Sequence, residues 1–219
     1  MRPVVCMISD RLRGQARARP GGPESEDALV AAVAAAARAG IDLVQVRERD
    51  LDGGALVRLV SRCVDAARHT RTRVLVNDRV DVAIAAGAHG VHLRGDSVPA
   101  PRVRAVVPPG FLIGRSIHSR EEAARVSVEG GLDYLTFGTV FSTTSKPDVT
   151  PAGVQSLIDV ASASPLPVLA IGGITCETIR ALGRTGAAGI AAIGVFADTP
   201  LDQLPRTISE LVHAFQDQH

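Results

Sequence analysis

The feature that most constrains the fold is a regular alternation of short β-rich runs with segments long enough for a helix. Several of these runs are almost continuously apolar, which is typical of parallel strands that crossover helices cover on both faces. There are eight of them: Val4–Ser9, Ile41–Val46, Val74–Val76, Gly90–Leu93, Phe111–Ser116, Tyr134–Gly138, Val168–Ile171 and Gly189–Ile193.

The spacing of the runs favours a closed barrel. Each strand and the segment after it occupy roughly 25 residues, and eight such units fit the smallest barrels of this type. An open doubly wound sheet is the alternative, but eight similar units close more naturally into a ring. We therefore expect an α/β fold, a single (β/α)₈ TIM barrel, in one domain that covers residues 1–219.

Helix start signals lie between the predicted strands. Ser119 and Glu122 have the spacing of a capping box, in which each residue binds a backbone N–H at the start of a helix. Thr150–Pro151 places a proline at a first helical position, where its missing N–H has no cost. These signals predict helices after the fifth and sixth strands.

The charge balance and composition exclude several classes of partner. Lys and Arg number 24 against 23 Asp and Glu, so no global field attracts nucleic acid or an anionic membrane. Aromatic residues make up 3%, too few for a base-stacking platform. The three cysteines lack the spacing of a zinc site, and we see no membrane span or signal peptide. We expect a cytoplasmic protein with a small-molecule partner, and a homo-oligomer stays open.

Residues that follow the strands of such a barrel share one mouth, where the chemistry takes place. Gly172 and Gly173 follow the seventh strand, and Gly194 follows the eighth. Glycines let backbone N–H groups approach an anion closely. We expect a phosphate site there, although two tight turns would have the same sequence.

The second strand ends in polar residues. Alternation sends Gln45 and Arg47 to one face, and Arg49 follows in the loop. An arginine here could bind a phosphate or a carboxylate through two parallel hydrogen bonds. The alternative is a structural arginine–glutamate pair that uses Glu48.

Amides and carboxylates follow the third and fourth strands. Asn77 and Asp78 could hold a substrate heterocycle and a Mg²⁺ ion, which prefers oxygen ligands. The alternative for Asp78 is a cap on the helix from Val80. The fourth loop adds one carboxylate, Asp96.

The fifth and sixth loops offer groups for proton transfer and anion binding. Ser116 and His118 share a face, and a histidine at this position can transfer a proton near neutral pH. Thr143, Ser145 and Lys146 suit a second anion such as pyrophosphate. A structural histidine and a plain surface loop are the respective alternatives.

The basic first loop, residues 10–24, is a candidate lid or a solvated loop.

The motifs, in this order, resemble the thiamin phosphate synthase and TenI superfamily of small (β/α)₈ barrels. Their joint order is far more specific than any one of them alone, and they cover nearly the whole chain. The matching stretches are VQVRER at 44–49, NDRVDVA at 77–83, GVHL at 90–93, IGRSIHSREEA at 113–123, FGTVFSTTSKP at 137–147 and AIGGIT at 170–175.

The resemblance implies one of two activities. The synthase joins hydroxymethylpyrimidine diphosphate to thiazole phosphate carboxylate and releases pyrophosphate and CO₂. The thiazole tautomerase moves a proton on the thiazole phosphate carboxylate, with a histidine as acid and base. Either substrate is a small phosphorylated heterocycle.

The synthase pattern implies that Gln45 and Asn77 bind the pyrimidine and that Arg47 binds the diphosphate. Arg49 stands where the family usually has lysine, and Thr143, Ser145 and Lys146 match the diphosphate loop. One Mg²⁺ ligand matches Asp78, but the second carboxylate falls at Ser97, one position after Asp96. This departure weakens the synthase interpretation because Mg²⁺ demands strict octahedral geometry.

The tautomerase pattern matches at His118 in SIHS, and the phosphate site at Gly172, Gly173 and Gly194 would serve both activities. We favour the tautomerase, which needs no cofactor, with His118 and Lys146 as candidate catalytic residues. The alternative is a Mg²⁺-dependent synthase that uses Asp78 and Asp96. A further alternative is a non-catalytic, ligand-binding regulatory barrel.

Overall fold

The strands form a closed ring in which each pairs in parallel with its neighbours in the chain and the first pairs with the last. The computed structural model describes residues 2–13, 23–143 and 148–217. The strands are β1 Val4–Ile8, β2 Leu43–Val46, β3 Arg73–Asn77, β4 Gly90–Leu93, β5 Leu112–Ile117, β6 Tyr134–Gly138, β7 Val168–Ile171 and β8 Gly189–Ala192.

Helices connect the strands on the outside of the ring. A 3₁₀ helix, Thr178–Leu182, replaces the α-helix between β7 and β8. The α-helices are α1 Pro23–Arg38, α2 Gly53–Ala66, α3 Val80–Ala85, α4 Ala100–Arg104, α5 Arg120–Glu129, α6 Gly153–Ala163, α7 Gly194–Ala197 and α8 Leu204–Gln216. The order confirms the predicted (β/α)₈ class. None of the helices in the described residues combines the length and the apolar character that crossing a membrane requires.

Alternation along the strands produces two apolar layers. Outward-facing residues such as Val44 and Val76 pack against the helices, whereas inward-facing residues such as Leu43 and Leu75 fill the ring. Towards the carboxyl ends of the strands, the inward positions become polar. This polar layer consists of Gln45, Asn77, His92, Ser116 and Thr136. The floor of the mouth is therefore built from strand residues rather than from loops.

All eight predicted strands are present, but their ends differ by up to two residues. The capping signal before α5 is confirmed, since the hydroxyl of Ser119 accepts from the N–H of Glu122 at 3.1 Å. The proline signal is wrong, because α6 starts at Gly153 rather than Pro151. The N–H groups of Ala152 and Gly153 instead donate to carbonyls of the sixth loop, which delays the helix.

The cysteines are free thiols, as the odd count and wide spacing predict. Cys6 lies inside the ring and Cys63 lies on the buried face of α2, and both are fully buried. Burial raises the pKa of each of these two thiols to about 12. A thiol of this kind is inert as a nucleophile, so these two residues serve the core.

Candidate active site

A cavity with a volume of about 490 Å³ opens at the carboxyl ends of β5 to β8. Six of the residues that the sequence singles out line it together: Ser116, His118, Thr143, Gly172, Gly173 and Gly194. Most of the exposed lining is apolar. Polar groups held in such a pocket interact more strongly with a ligand than they would in water.

The glycines after β7 have left-handed backbone conformations, with φ of 100° at Gly172 and 64° at Gly173. A Cβ at Gly173 would lie 2.4 Å from the carbonyl oxygen of Ser142, and one at Gly172 would lie 2.6 Å from Cγ2 of Thr139. Both positions therefore require glycine. The seventh loop packs directly on the sixth and leaves its backbone at the cavity wall.

Arg13 of the first loop, which no sequence motif distinguishes, also lines this cavity. A Cβ at Gly194 would lie 2.9 Å from Nη2 of Arg13. The same guanidinium pairs with Asp198 at 3.1 Å. The basic composition of the first loop was the only signal in the sequence, and it did not distinguish Arg13 from its neighbours.

His118 follows β5 and is held at two points. Its ring Nδ1 donates to the carbonyl oxygen of Gly138 at 2.6 Å, and its backbone N–H donates to Glu122 at 2.6 Å. Since a carbonyl only accepts, the neutral ring carries its proton on Nδ1 and its lone pair on Nε2. The side chain thus has the tautomer that a proton acceptor at Nε2 needs.

Beneath the cavity lies a buried polar network centred on His92. Its Nε2 is 2.9 Å from the hydroxyl of Ser116, and its Nδ1 is 3.0 Å from the hydroxyl of Tyr134. Burial lowers the pKa of His92 to about 4, so the ring is neutral near pH 7. The alternation within GVHL places His92 on the inner face, but no sequence motif indicates these hydrogen bonds.

The mouth continues onto β2 and β3 as a second polar region. The amide Nε2 of Gln45 donates to Oδ1 of Asn77 at 3.1 Å, so the two predicted amides lie together. Arg47 is half-buried, and burial followed by repulsion from Arg49 lowers the pKa of its guanidinium. Arg49 itself is exposed.

Glu48 forms a structural ion pair, and its partner is Arg11 of the first loop, at 3.0 Å. The hydroxyl of Ser9 links this pair to the second loop, because it donates to Glu48 and accepts from the backbone N–H of Arg47 at 2.9 Å. Burial raises the pKa of Glu48 despite these partners. The network fixes the backbone that carries Arg47.

The carboxylates at the mouth do not form the expected pair of metal ligands. One oxygen of Asp78 accepts from the hydroxyl of Ser97, and the other lies 3.7 Å from Nη1 of Arg94. Both oxygens of Asp96 accept from Arg94. In the described residues, no three His, Cys, Asp or Glu side chains come together as a metal site. A guanidinium between the two carboxylates leaves a donor set that does not fit Mg²⁺.

Two further predictions concern this loop region. Asp78 does not cap α3, because the residue before that helix is Arg79 and no side chain accepts a bond there. Ser145 and Lys146 lie outside the described residues, so their predicted contact with an anion stays a prediction.

A closed (β/α)₈ ring with a glycine-lined cavity and paired amides at the carboxyl ends of its strands has the architecture of a barrel enzyme. The particular family follows from comparison with known proteins. The chain belongs to the thiamine monophosphate synthase family, whose model matches residues 20–196.

Similar proteins cover most of the chain. A thiamine-phosphate synthase of Roseiflexus sp. (strain RS-1) is 36% identical over 96% of this chain and 84% of its own length. One from Anaeromyxobacter dehalogenans is 42% identical over 75% of this chain and 73% of its own. The solved thiamine phosphate pyrophosphorylase from Pyrococcus furiosus superposes with a TM-score of 0.81 at 27% identity, over 98% of this chain and 96% of that one. These names match the synthase alternative rather than the favoured tautomerase.

Proposed function

We propose that this chain is a thiamin phosphate synthase, which joins hydroxymethylpyrimidine diphosphate to thiazole phosphate carboxylate. The observation that carries the proposal is the two-part mouth. The cavity at Gly172 and Gly173 suits one phosphorylated ring, and the Gln45–Asn77 pair offers amide groups to a second. A tautomerase has one substrate and needs only the first part. The names of the relatives support the same choice.

Different residues of this chain would bind different parts of the two substrates. Gln45 and Asn77 orient the pyrimidine, while Arg47 and Arg49 face the diphosphate. The bond from the pyrimidine methylene carbon to the diphosphate oxygen breaks, and its electron pair leaves with pyrophosphate. The thiazole nitrogen supplies the pair for the new bond, its carboxylate leaves as CO₂, and the electron pair left on the ring carbon takes up a proton from solvent. Positive charge beside the departing group stabilises this transition state.

The apolar wall of the cavity would keep water away from the reacting groups. A pyrimidine cation formed in water would react with water, so the pocket must keep the thiazole closer than any solvent molecule. The glycine loops after β7 would fix the thiazole by its phosphate, and the sixth loop would cover it. We assign Thr143, Ser145 and Lys146 to the pyrophosphate on the sequence match.

The second candidate function is the thiazole tautomerase. Two observations favour it: the fixed tautomer of His118 and a carboxylate set that does not fit Mg²⁺. His118 would take the proton on Nε2 and return it to another ring atom. General acid–base catalysis of this kind contributes about 10²- to 10⁴-fold.

The test supplies the purified protein with both substrates, with and without Mg²⁺, and measures pyrophosphate, thiamin phosphate and interconversion of the thiazole isomers. A synthase forms thiamin phosphate, and Gln45→Ala lowers that turnover while Gln155→Ala, at an exposed amide on α6, does not. Isomer interconversion without thiamin phosphate, abolished in His118→Ala, would favour the tautomerase instead. Binding of either substrate without any product would identify a regulatory barrel.

A further inference from the structure

Arg94 follows β4 and lies between two carboxylates at the edge of the mouth. Its Nη1 is 3.7 Å from Asp78, and its Nε donates to Asp96 at 2.9 Å, with Nη2 on the second oxygen of Asp96. Ser97, next to this pair, binds Asp78 through its hydroxyl. A positive side chain therefore stands where two facing carboxylates would hold a cation.

A second arginine side chain binds the backbone of the same loop. The guanidinium of Arg115 is buried and donates to the carbonyl oxygens of Arg94 at 3.1 Å, Ser97 at 2.6 Å and Val98 at 3.0 Å. The hydroxyl of Ser97 accepts from the backbone N–H of Arg94 at 2.8 Å. The loop is thus fixed around two guanidinium groups, which would repel a divalent cation at Asp78.

An anionic ligand can readily replace Asp96 as the hydrogen-bond partner of Arg94. The Asp96 side chain is 70% exposed, and an ion pair between exposed side chains contributes little to stability. An incoming phosphate could take over both hydrogen bonds, since a guanidinium fork fits phosphate and carboxylate geometry equally well. Asp96 then returns to solvent at small cost.

We propose that Arg94 binds the diphosphate of the substrate and neutralises its charge, so that this chain needs no divalent metal at Asp78. The identity of the anion rests on the proposed synthase function. The fork would hold the leaving pyrophosphate from the loop after β4, while Arg47 and Arg49 contribute positive charge from the loop after β2. Asp78 and Ser97 keep Arg94 in position and do not ligate a metal.

The first experiment measures binding of inorganic pyrophosphate by titration calorimetry in a buffer that contains EDTA. We expect Arg94→Ala to weaken binding about 10- to 100-fold, because a charge-assisted bidentate contact is lost. The matched control is Arg79→Ala. Arg79 pairs with Asp81 two residues later in the same fork geometry, and we expect less than a twofold change. Equal weakening in both variants, or none in Arg94→Ala, would overturn the proposal.

The second experiment restores a two-carboxylate site. We expect the double variant Arg94→Ala/Ser97→Asp to bind Mn²⁺, measured by electron paramagnetic resonance, and the unmodified chain to leave Mn²⁺ free at the same submillimolar concentration. Tight Mn²⁺ binding by the unmodified chain that Asp78→Asn abolishes would contradict a metal-free site. Neither experiment depends on turnover, so a chain that makes no thiamin phosphate would refute the proposed function and leave this result intact.

Discussion

The fold shifts the pKa of individual side chains in the barrel, and the depth of burial decides whether a side chain is charged. His92 lies between Tyr134 and Ser116, and burial keeps its ring neutral. Arg47 is only half-buried and stays charged although burial lowers its pKa. The neutral group lies deep in the ring and the charged ones at its rim, where an anion can reach them.

The buried ring of His92 should make stability depend on pH. Its pKa falls from 6.5 to about 4 on folding, so the unfolded chain binds the proton more readily. Stability is therefore complete above about pH 6.5 and decreases by up to about 3 kcal/mol as pH falls towards 4. Urea unfolding at several pH values measures this loss.

The variant His92→Gln removes the titrating group and should show a weaker loss over the same range. His213→Gln, on the exposed face of α8, should behave like the unmodified chain. Parallel curves for His92→Gln and the unmodified chain would show that other groups cause the pH dependence.

Gly173 can be tested as part of the phosphate site. An alanine there combines a strained φ with a Cβ 2.4 Å from the Ser142 oxygen, so the seventh loop must move. We expect Gly173→Ala to weaken binding of inorganic phosphate about tenfold or more, measured by calorimetry. Gly110→Ala is the control, because Gly110 has a similar φ of 78° but open space around it. Similar phosphate affinities in both variants would remove the seventh loop from the site.

Among the elements, α5 connects helix stability with the position of His118. Ser119 caps the helix, and Glu122 of the first turn accepts from the backbone of His118. The segment 118–122 thus begins a helix and fixes the end of β5. A local sequence signal is enough to identify this unit, because its hydrogen bonds join neighbours in the chain.

The cap should make a measurable contribution to folding. Ser119→Ala leaves an N–H at the start of α5 without its partner and should lower the free energy of unfolding by about 1 kcal/mol. Denaturant unfolding gives the value. Ser162→Ala, whose hydroxyl bonds within the last turn of α6, should cost clearly less. A Ser119 variant as stable as the unmodified chain would mean that water replaces the cap.

The elements that follow from local sequence patterns could be predicted from the sequence, whereas contacts between distant loops could not. The eight strands follow from apolar runs at helix-length spacing, and Gln45 and Asn77 meet because adjacent strands carry them. The pairing of Glu48 with Arg11 joins two loops 37 residues apart. Arg94 between Asp78 and Asp96 likewise depends on how two loops fold over one another. No periodicity encodes such contacts, since they depend on side-chain geometry at the rim.

For the whole molecule, closure of the ring requires glycines where neighbouring strands approach most closely. A Cβ at Gly189 would lie 1.9 Å from the carbonyl oxygen of Val4, and one at Gly90 would lie 2.3 Å from that of Leu112. These contacts involve backbone atoms, which cannot rotate away. Gly189 lies at the β1–β8 seam, where the ring closes.

Gly189→Ala should therefore destabilise the entire barrel rather than one element. We expect a loss of about 3 kcal/mol or more in the free energy of unfolding, because the clash opens the seam. Thermal and urea unfolding measure it. Gly54→Ala in α2 is the control: its added Cβ makes only ordinary contacts at 3.5 Å, and alanine favours the helix. A Gly189 variant as stable as the Gly54 variant would show that the seam adapts.

The pairing of β1 with β8 also has a consequence for synthesis on the ribosome. β1 emerges first, but one of its two neighbours is made only after every other strand. Until then its unpaired N–H and C=O groups form an exposed edge that another nascent chain could join. Contacts between residues so far apart in the chain form slowly. β1 thus keeps one edge unpaired until the segment that contains β8 has been made, and a chaperone would help most during that interval.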